Sequence, residues 1–200
     1  ESLDKYLLQN DYTKGIIRKE KKKKKVQERI ENAIENGNEH LGVIFIDLTN
    51  FKKVNDMHGH EVGDEVLKGV AKQLKQVLRT DERVDQDVIG FEELVSVPED
   101  EDFSRLGGDE FAIFVDLTAR AERDQARESD QERLDKIIEK ITDETSGFSQ
   151  AVGNMLAKGY DMSIGGAVWD SEKMHDATDL LRAADAAMYK HKQEQHSQLG

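Results

Sequence analysis

The sequence predicts an α/β fold, because segments with strand character alternate with segments that have the periodicity of amphipathic helices. Residues 40–47 form an almost unbroken apolar run that ends in an acid, which predicts a strand buried on both faces. Residues 61–79 repeat apolar side chains at helical spacing. Gly107 and Gly108, which adopt positive φ without a steric penalty, predict a tight hairpin turn between two short strands.

The other elements are assigned from the same signals. The elements expected in chain order are a charged helix at 12–36 ended by Gly37, a strand at 40–48, a helix at 61–79, hairpin strands at 103–106 and 111–115, a long charged helix at 119–142, a strand at 160–169 and a final helix at 177–193. We interpret residues 1–200 as a single domain with a helical lead-in at 1–36. An acidic insertion at 83–102 and the stretch 148–159 are each expected to be a solvated loop, with a regulatory contact as the alternative.

The amino-acid composition argues against several classes of function. Two hundred residues with 36% hydrophobic content suffice for one core, and the absence of cysteine excludes thiol chemistry and a disulfide framework. The net charge of −13 argues against nonspecific nucleic-acid binding, so an anionic nucleotide would need a metal ion and local basic side chains. No apolar run reaches the roughly 20 residues that span a bilayer. We expect a cytoplasmic protein without membrane insertion, possessing an upstream regulatory domain.

A polar cluster follows the first strand. Asp47 ends that strand, and Lys52, Asn55 and Asp64 follow shortly after it. Open α/β sheets usually bind ligands outside the carboxyl ends of their strands, and carboxylates at such a rim hold hard cations. Together with Asp109 after the Gly-Gly turn, the cluster indicates a site for metal and phosphate. The alternative is an ordinary charged hairpin tip, with Asp47 acting as a cap or turn residue.

These motifs resemble the GGDEF family of diguanylate cyclases. The matching segments are Phe45-Ile46-Asp47, Phe51-Lys52-Lys53-Val54-Asn55-Asp56, Gly59-His60, Gly63-Asp64, Arg105-Leu106-Gly107-Gly108-Asp109-Glu110-Phe111, Ser163-Ile164-Gly165-Gly166-Ala167 and Ala184-Asp185-Ala186-Ala187-Met188-Tyr189. The resemblance extends from about Asp11 to Lys192. It implies a mainly antiparallel central sheet flanked by helices, similar to nucleotidyl cyclase and polymerase palm domains.

The resemblance also implies an activity. Two GTP molecules would condense into cyclic di-GMP and release two pyrophosphates, in a homodimer whose sites face each other. Asp47 and Asp109, with the backbone carbonyl of Leu48, would hold Mg²⁺ or Mn²⁺. Asp109 is an alternative base, and Glu110 is assigned to either the metal or the attacking hydroxyl.

Further residues are assigned to the substrate by the same resemblance. Asn55 and Asp64 would recognise guanine, since a carboxylate accepts from its N1–H and N2–H₂ groups and an amide addresses its acceptors. The residues assigned to phosphate are Phe51, Lys52, Gly107, Gly108, Arg182 and Lys192. The alternative for Asn55 and Asp64 is a capping or turn role. His58 and His60 are expected to pack or bond locally, because Mg²⁺ has little use for imidazole.

Two motifs of the family are degraded here. No clear Arg-x-x-Asp inhibitory motif precedes the Gly-Gly turn, and the weak candidate is Arg79 with Glu82. The usual Gly-Arg-Asn tail after Lys192 is replaced by Gln195-His196-Ser197. These departures define the alternative function, a catalytically impaired GGDEF module that binds GTP or cyclic di-GMP and regulates a neighbouring domain.

Overall fold

The computed structural model describes residues 24, 26–80, 109–118, 128–155 and 161–198. Three strands in these ranges form an antiparallel sheet in the order β2-β1-β3. The elements are α1 (helical residues 26–35), β1 (Leu41–Thr49), α2 (Phe51–His58), α3 (His60–Thr80), β2 (Glu110–Asp116), α4 (Asp130–Met155), β3 (Asp161–Val168) and α5 (Ala177–Gln198).

The sheet is covered by helices on both faces. Alternate residues of β1 point to opposite sides, so Ile44 and Ile46 belong to one apolar cluster and Leu41 and Val43 to the other. The first cluster includes side chains of α3 and α4, and the second includes side chains of α1 and α5. This three-layer arrangement confirms the predicted α/β class with an antiparallel central sheet flanked by helices.

The segment after β1 differs from the prediction, because the helix α2 lies where the sequence analysis assigned a polar cluster and no secondary structure. Phe51 and Val54 are buried in the cluster that α3 and α4 cover, and this anchors the short helix. Gly59, with φ 85°, separates α2 from α3, and its N–H donates to the carbonyl of Asn55 at 2.9 Å.

The long helix α4 begins later than predicted and ends later. Residues 128 and 129 are not helical, and Asp130 opens the helix. The Ser129 N–H donates to Glu132 Oε2 at 2.8 Å, and the Glu132 N–H donates to Ser129 Oγ at 3.3 Å, which is a capping box. Residues 148–155, expected to lie in a loop, continue the helix.

Helix α5 also extends beyond its predicted end, to Gln198, and therefore includes the degraded tail. The expected strand at 103–106, the Gly107–Gly108 turn, the insertion at 83–102 and the helical segment before residue 24 lie outside the described residues. None of the described helices combines the length and the apolar composition that crossing a membrane requires.

Candidate active site

The acidic residues of the two predicted motifs meet where β1 ends and β2 begins. Asp47 lies opposite Glu110 in the antiparallel register, and the Leu48 N–H donates to the carbonyl oxygen of Asp109 at 2.9 Å. Directly opposed residues on neighbouring strands have Cβ atoms about 5 Å apart. The fold therefore brings Asp47 to the same end of the sheet as Asp109 and Glu110, although it is far from them in the chain.

The Asp47 carboxylate has a basic partner from the last helix. Lys192 Nζ donates to Asp47 Oδ1 at 2.8 Å, and Asp47 is only 8% exposed. A carboxylate this deeply buried needs a compensating charge or hydrogen bonds, and the ammonium group supplies both. Lys192, assigned to phosphate from the sequence, is thus brought directly to the acidic cluster.

The end of α5 is held against β3 by side chains that the sequence analysis did not single out for this role. His191 Nδ1 accepts from the Ile164 N–H at 3.0 Å. Gln195 Oε1 accepts from the Ser163 hydroxyl at 2.8 Å, and Gln195 Nε2 donates to the Met162 carbonyl at 3.2 Å. The sequence signal for this contact was the glutamine that replaces the glycine of Gly-Arg-Asn at position 195. The replacement was interpreted only as loss of the family motif, but it also creates a structural contact.

Gly165 allows the backbone of α5 to pack directly against the sheet. A Cβ at this position would lie 2.0 Å from the backbone nitrogen of Met188, so the helix backbone approaches the strand as closely as glycine allows. Since Met188 is one helical turn before Lys192, this contact sets how far along β1 the ammonium group reaches.

The turn from β1 into α2 is sharp. Asn50 adopts the left-handed conformation, with φ 64° and ψ 15°, which asparagine tolerates better than most residues. After this turn Phe51 enters the core and Lys52 stays exposed. The Phe51 side chain is therefore a core residue and the Lys52 side chain lies on the surface, and the assignment of both residues to phosphate stays a prediction.

Asn55 and Asp64 lie at the corner between α2 and α3. The Asn55 amide rests on Gly63, since a Cβ there would lie 1.9 Å from Asn55 Oδ1. Asp64 follows Gly63 directly and is half-buried. Asn55 follows Phe51 by about one helical turn, which is about 6 Å along the helix axis, so the α2–α3 corner borders the end of β1.

Arg182 is not brought to this site. It stands ten residues before Lys192, which is about 15 Å along a helix, and its side chain is 77% exposed beside Asp179. The neighbouring Ala184 packs in the cluster that contains Leu41, near the opposite end of β1. The phosphate role assigned to Arg182 stays a prediction, and within one copy of the chain its side chain lies away from Asp47 and Lys192.

The carboxylates have the donor chemistry that a hard divalent ion requires. Mg²⁺ is commonly held by one or two carboxylates together with waters and substrate phosphates, so Asp47 and Asp109 with a backbone carbonyl fit it. Within the described ranges no cluster of three or more His, Cys, Asp or Glu side chains has metal-binding geometry, and His58 and His60 are exposed. The residues present therefore suit an ion whose coordination the substrate completes.

Several known proteins are similar in sequence to this chain. The chain is 29% identical over 167 residues to the bifunctional diguanylate cyclase/cyclic di-GMP phosphodiesterase MucR of Pseudomonas aeruginosa. It is 28% identical over 165 residues to the cyclic di-GMP phosphodiesterase PdeR of Escherichia coli. Each alignment covers 82% of this chain and 20% of the relative, so the chain spans about a fifth of the length of these proteins.

A solved structure and a family model extend this likeness to the fold. The crystal structure of the GGDEF domain of TpbB from Pseudomonas aeruginosa is 27% identical, with a TM-score of 0.50, over 84% of this chain and 87% of that one. The family model described as "Diguanylate cyclase, GGDEF domain" matches residues 13–89 and 92–198. With nearly the whole sequence matched and the motif acids gathered at one end of the sheet, the chain belongs to the GGDEF domain family.

Proposed function

We propose that the chain is a diguanylate cyclase, which condenses two GTP molecules into cyclic di-GMP and two pyrophosphates. The observation that carries the proposal is the convergence of Asp47, Asp109 and Glu110 at adjoining strand ends, in a chain of this family. Relatives named as diguanylate cyclases, among them DgcT and TpbB, support it. GTP is a cytoplasmic nucleotide, so the proposed reaction takes place in the cytoplasm.

In this reaction the main role of the protein is to position charged groups around the reacting phosphates. In each of two steps, a 3′-hydroxyl attacks the α-phosphorus of the other GTP, one P–O bond forms and pyrophosphate leaves with the electrons of the bond that breaks. Bound Mg²⁺ or Mn²⁺ supplies neutralisation of the charge that builds on the phosphate oxygens. Asp47, Asp109 and the Leu48 carbonyl would hold the ion, and the Lys192 ammonium group, which donates to Asp47, would contact the same phosphates.

Proton transfer and base recognition fall to neighbouring side chains. Glu110, exposed and opposite Asp47, is our candidate to accept the proton of the attacking hydroxyl, with Asp109 as the alternative. Asn55 and Asp64 would read guanine at the α2–α3 corner, because adenine would leave the Asp64 carboxylate without donors. Lys52 and the backbone of Gly107 and Gly108 would contact phosphate.

The test is product formation from GTP and Mg²⁺, with the Asp109→Ala variant as the decisive comparison. Loss of one ligand from a metal and phosphate site removes several kcal/mol of transition-state stabilisation, so we expect cyclic di-GMP formation to fall by about a thousandfold. Chromatographic detection of cyclic di-GMP measures the rate.

The matched control is Asp143→Ala, which removes an exposed acid from α4 and should leave the rate unchanged. An Asp109→Ala variant that retains full activity, or a wild-type chain that makes no product as a forced dimer, contradicts the proposal.

A second function is favoured by one observation. The last turns of α5 direct His191 and Gln195 into contacts with β3, in the segment where the family places a basic Gly-Arg-Asn tail. If the missing arginine cannot be replaced, the chain is a nucleotide-binding module that regulates a neighbouring domain. Calorimetry would then show GTP bound but never consumed.

A further inference from the structure

The acidic cluster already contains a cation, and it belongs to the protein itself. Lys192 Nζ lies 2.8 Å from Asp47 Oδ1, an oxygen of the carboxylate that the proposed function assigns to the metal ion. Asp47 is buried and faces Glu110 across the strand pair, so two like charges are opposed there. The ammonium group offsets a repulsion that would otherwise destabilise the end of β1.

We propose that Lys192 is an intramolecular competitor of the divalent metal ion for Asp47, and that nucleotide binding removes this competition. The inference rests on the proposed function only in taking Asp47 as a metal ligand. It assigns Lys192 a role in the substrate-free protein that is separate from any contact with phosphate.

The competition follows from charge. A divalent ion on the Asp47 carboxylate would stand next to an ammonium group that is already hydrogen-bonded to the same carboxylate, and like charges at such distances repel strongly when they are shielded from water. Binding of the ion therefore requires the ammonium group to leave. Since the carboxylate is buried, Lys192 loses its partner without gaining a comparable one from solvent.

The backbone of α5 cannot simply withdraw with its lysine. Met188 is packed against Gly165, His191 is bonded to the Ile164 N–H, and Gln195 is bonded to Ser163. These contacts flank Lys192 on both sides along the helix. Relief of the repulsion must therefore come from rotation of the Lys192 side chain, which is about one-third exposed and has solvent on one side.

A bound nucleoside triphosphate would relieve the competition between Lys192 and the metal ion for Asp47. Its oxygens offer the displaced ammonium group a new anionic partner beside the metal ion, so metal and nucleotide each make the binding of the other more favourable. The expected behaviour is weak binding of the metal alone and strong positive coupling between metal and GTP. By linkage, the metal raises the affinity for GTP by the same factor.

The experiment measures Mn²⁺ binding by electron paramagnetic resonance in the absence of nucleotide, in the wild type and in Lys192→Met. Removal of the ammonium group should tighten Mn²⁺ binding at least about fivefold, the lower end of ordinary coupling factors, and should reduce the enhancement that GTP produces. The matched control is Lys190→Met, because Lys190 is exposed on the same helix, next to Glu194, and should leave Mn²⁺ binding unchanged. Unchanged or weaker Mn²⁺ binding in Lys192→Met overturns the proposal.

A second variant tests whether misfolding, rather than loss of the charge, explains the result. Lys192→Gln keeps a hydrogen-bond donor for the buried Asp47 carboxylate without a charge, and it should also bind Mn²⁺ more tightly than the wild type does. In Asp47→Asn, tight Mn²⁺ binding should be lost whichever residue occupies position 192, and its retention would overturn the proposal. The two proposals fail separately: a wild type that makes no cyclic di-GMP refutes only the cyclase, whereas equal Mn²⁺ affinities in an active enzyme refute only the competition.

Discussion

Gly63 shows how one absent side chain shapes the candidate guanine site. The Asn55 amide occupies the space that a Cβ at position 63 would need, with Oδ1 only 1.9 Å from that point. The obstacle is the end of a flexible side chain rather than backbone, so the helix can accept alanine if Asn55 moves. The residue at position 63 therefore controls where the amide of Asn55 points.

We predict that Gly63→Ala impairs GTP binding more than folding. Displacement of the Asn55 amide should raise KM for GTP by about tenfold, equivalent to one lost hydrogen bond of about 1.4 kcal/mol. The variant should unfold at nearly the wild-type denaturant concentration, because alanine is favoured over glycine in a helix. Initial-rate kinetics and urea denaturation measure the two effects, and an unchanged KM would show that Asn55 does not contact the base.

The site residues divide into those that sequence motifs could place and those that they could not. Asp47, Asp109 and Glu110 sit at strand ends, and strand ends follow from apolar runs and glycine turns that are visible in the sequence. The phosphate role of Arg182 stays a prediction, because position along a helix does not reveal which end of the sheet the helix covers. That depends on the packing of α5 over Gly165, a tertiary contact with no local signature.

At the scale of elements, α4 and α5 show why boundaries were harder to predict than the elements themselves. The charge density of residues 119–142 favoured an early helix start and concealed the capping box of Ser129 and Glu132. Helix α5 has a clearer beginning: the backbone N–H groups of Asp179 and Thr178 donate to the Asp176 carboxylate and lower its pKa. Helix α2 was not predicted because its segment is mostly polar, and Gly59, with φ 85°, separates it from α3.

We predict that Gly165→Ala disrupts the packing of α5. The added Cβ would meet the backbone of Met188, which cannot move without displacing the helix, so the variant should lose about 1–3 kcal/mol of stability. The matched control is Gly147→Ala in α4, where a Cβ meets nothing within 4 Å and the same change should stabilise the protein by about 0.5–1 kcal/mol. Urea unfolding measures both, and equal stabilities for the two variants would contradict the packing argument.

On the scale of the whole molecule, the described residues form one three-layer unit with the candidate site at one end of its sheet. Both apolar clusters flank β1, so the strand that carries Asp47 is the best supported of the described strands. The proposed reaction joins two nucleotides, and a single copy of the candidate site accounts for one of them. Two copies related by a twofold axis would bring two sites face to face.

We predict that specific activity rises with protein concentration. If pairing is weak, the fraction of paired domains grows with concentration, and the initial rate per mole of protein grows with it until the dimer is saturated. Pyrophosphate release measured over a thousandfold range of protein concentration gives the curve. A fusion to a dimeric coiled coil should remove the dependence, and a constant specific activity in a protein that stays monomeric would exclude the paired mechanism.

The hydrogen bonds between the end of α5 and β3 bear on the tendency of the protein to aggregate. Among the described strands β3 has one strand neighbour, and strands with an open flank are templates on which other chains can add. The imidazole of His191 and the amide of Gln195 engage the main chain of Ile164 and Met162 on that flank. Because these two bonds occupy main-chain groups of β3, we expect them to hinder the addition of another strand.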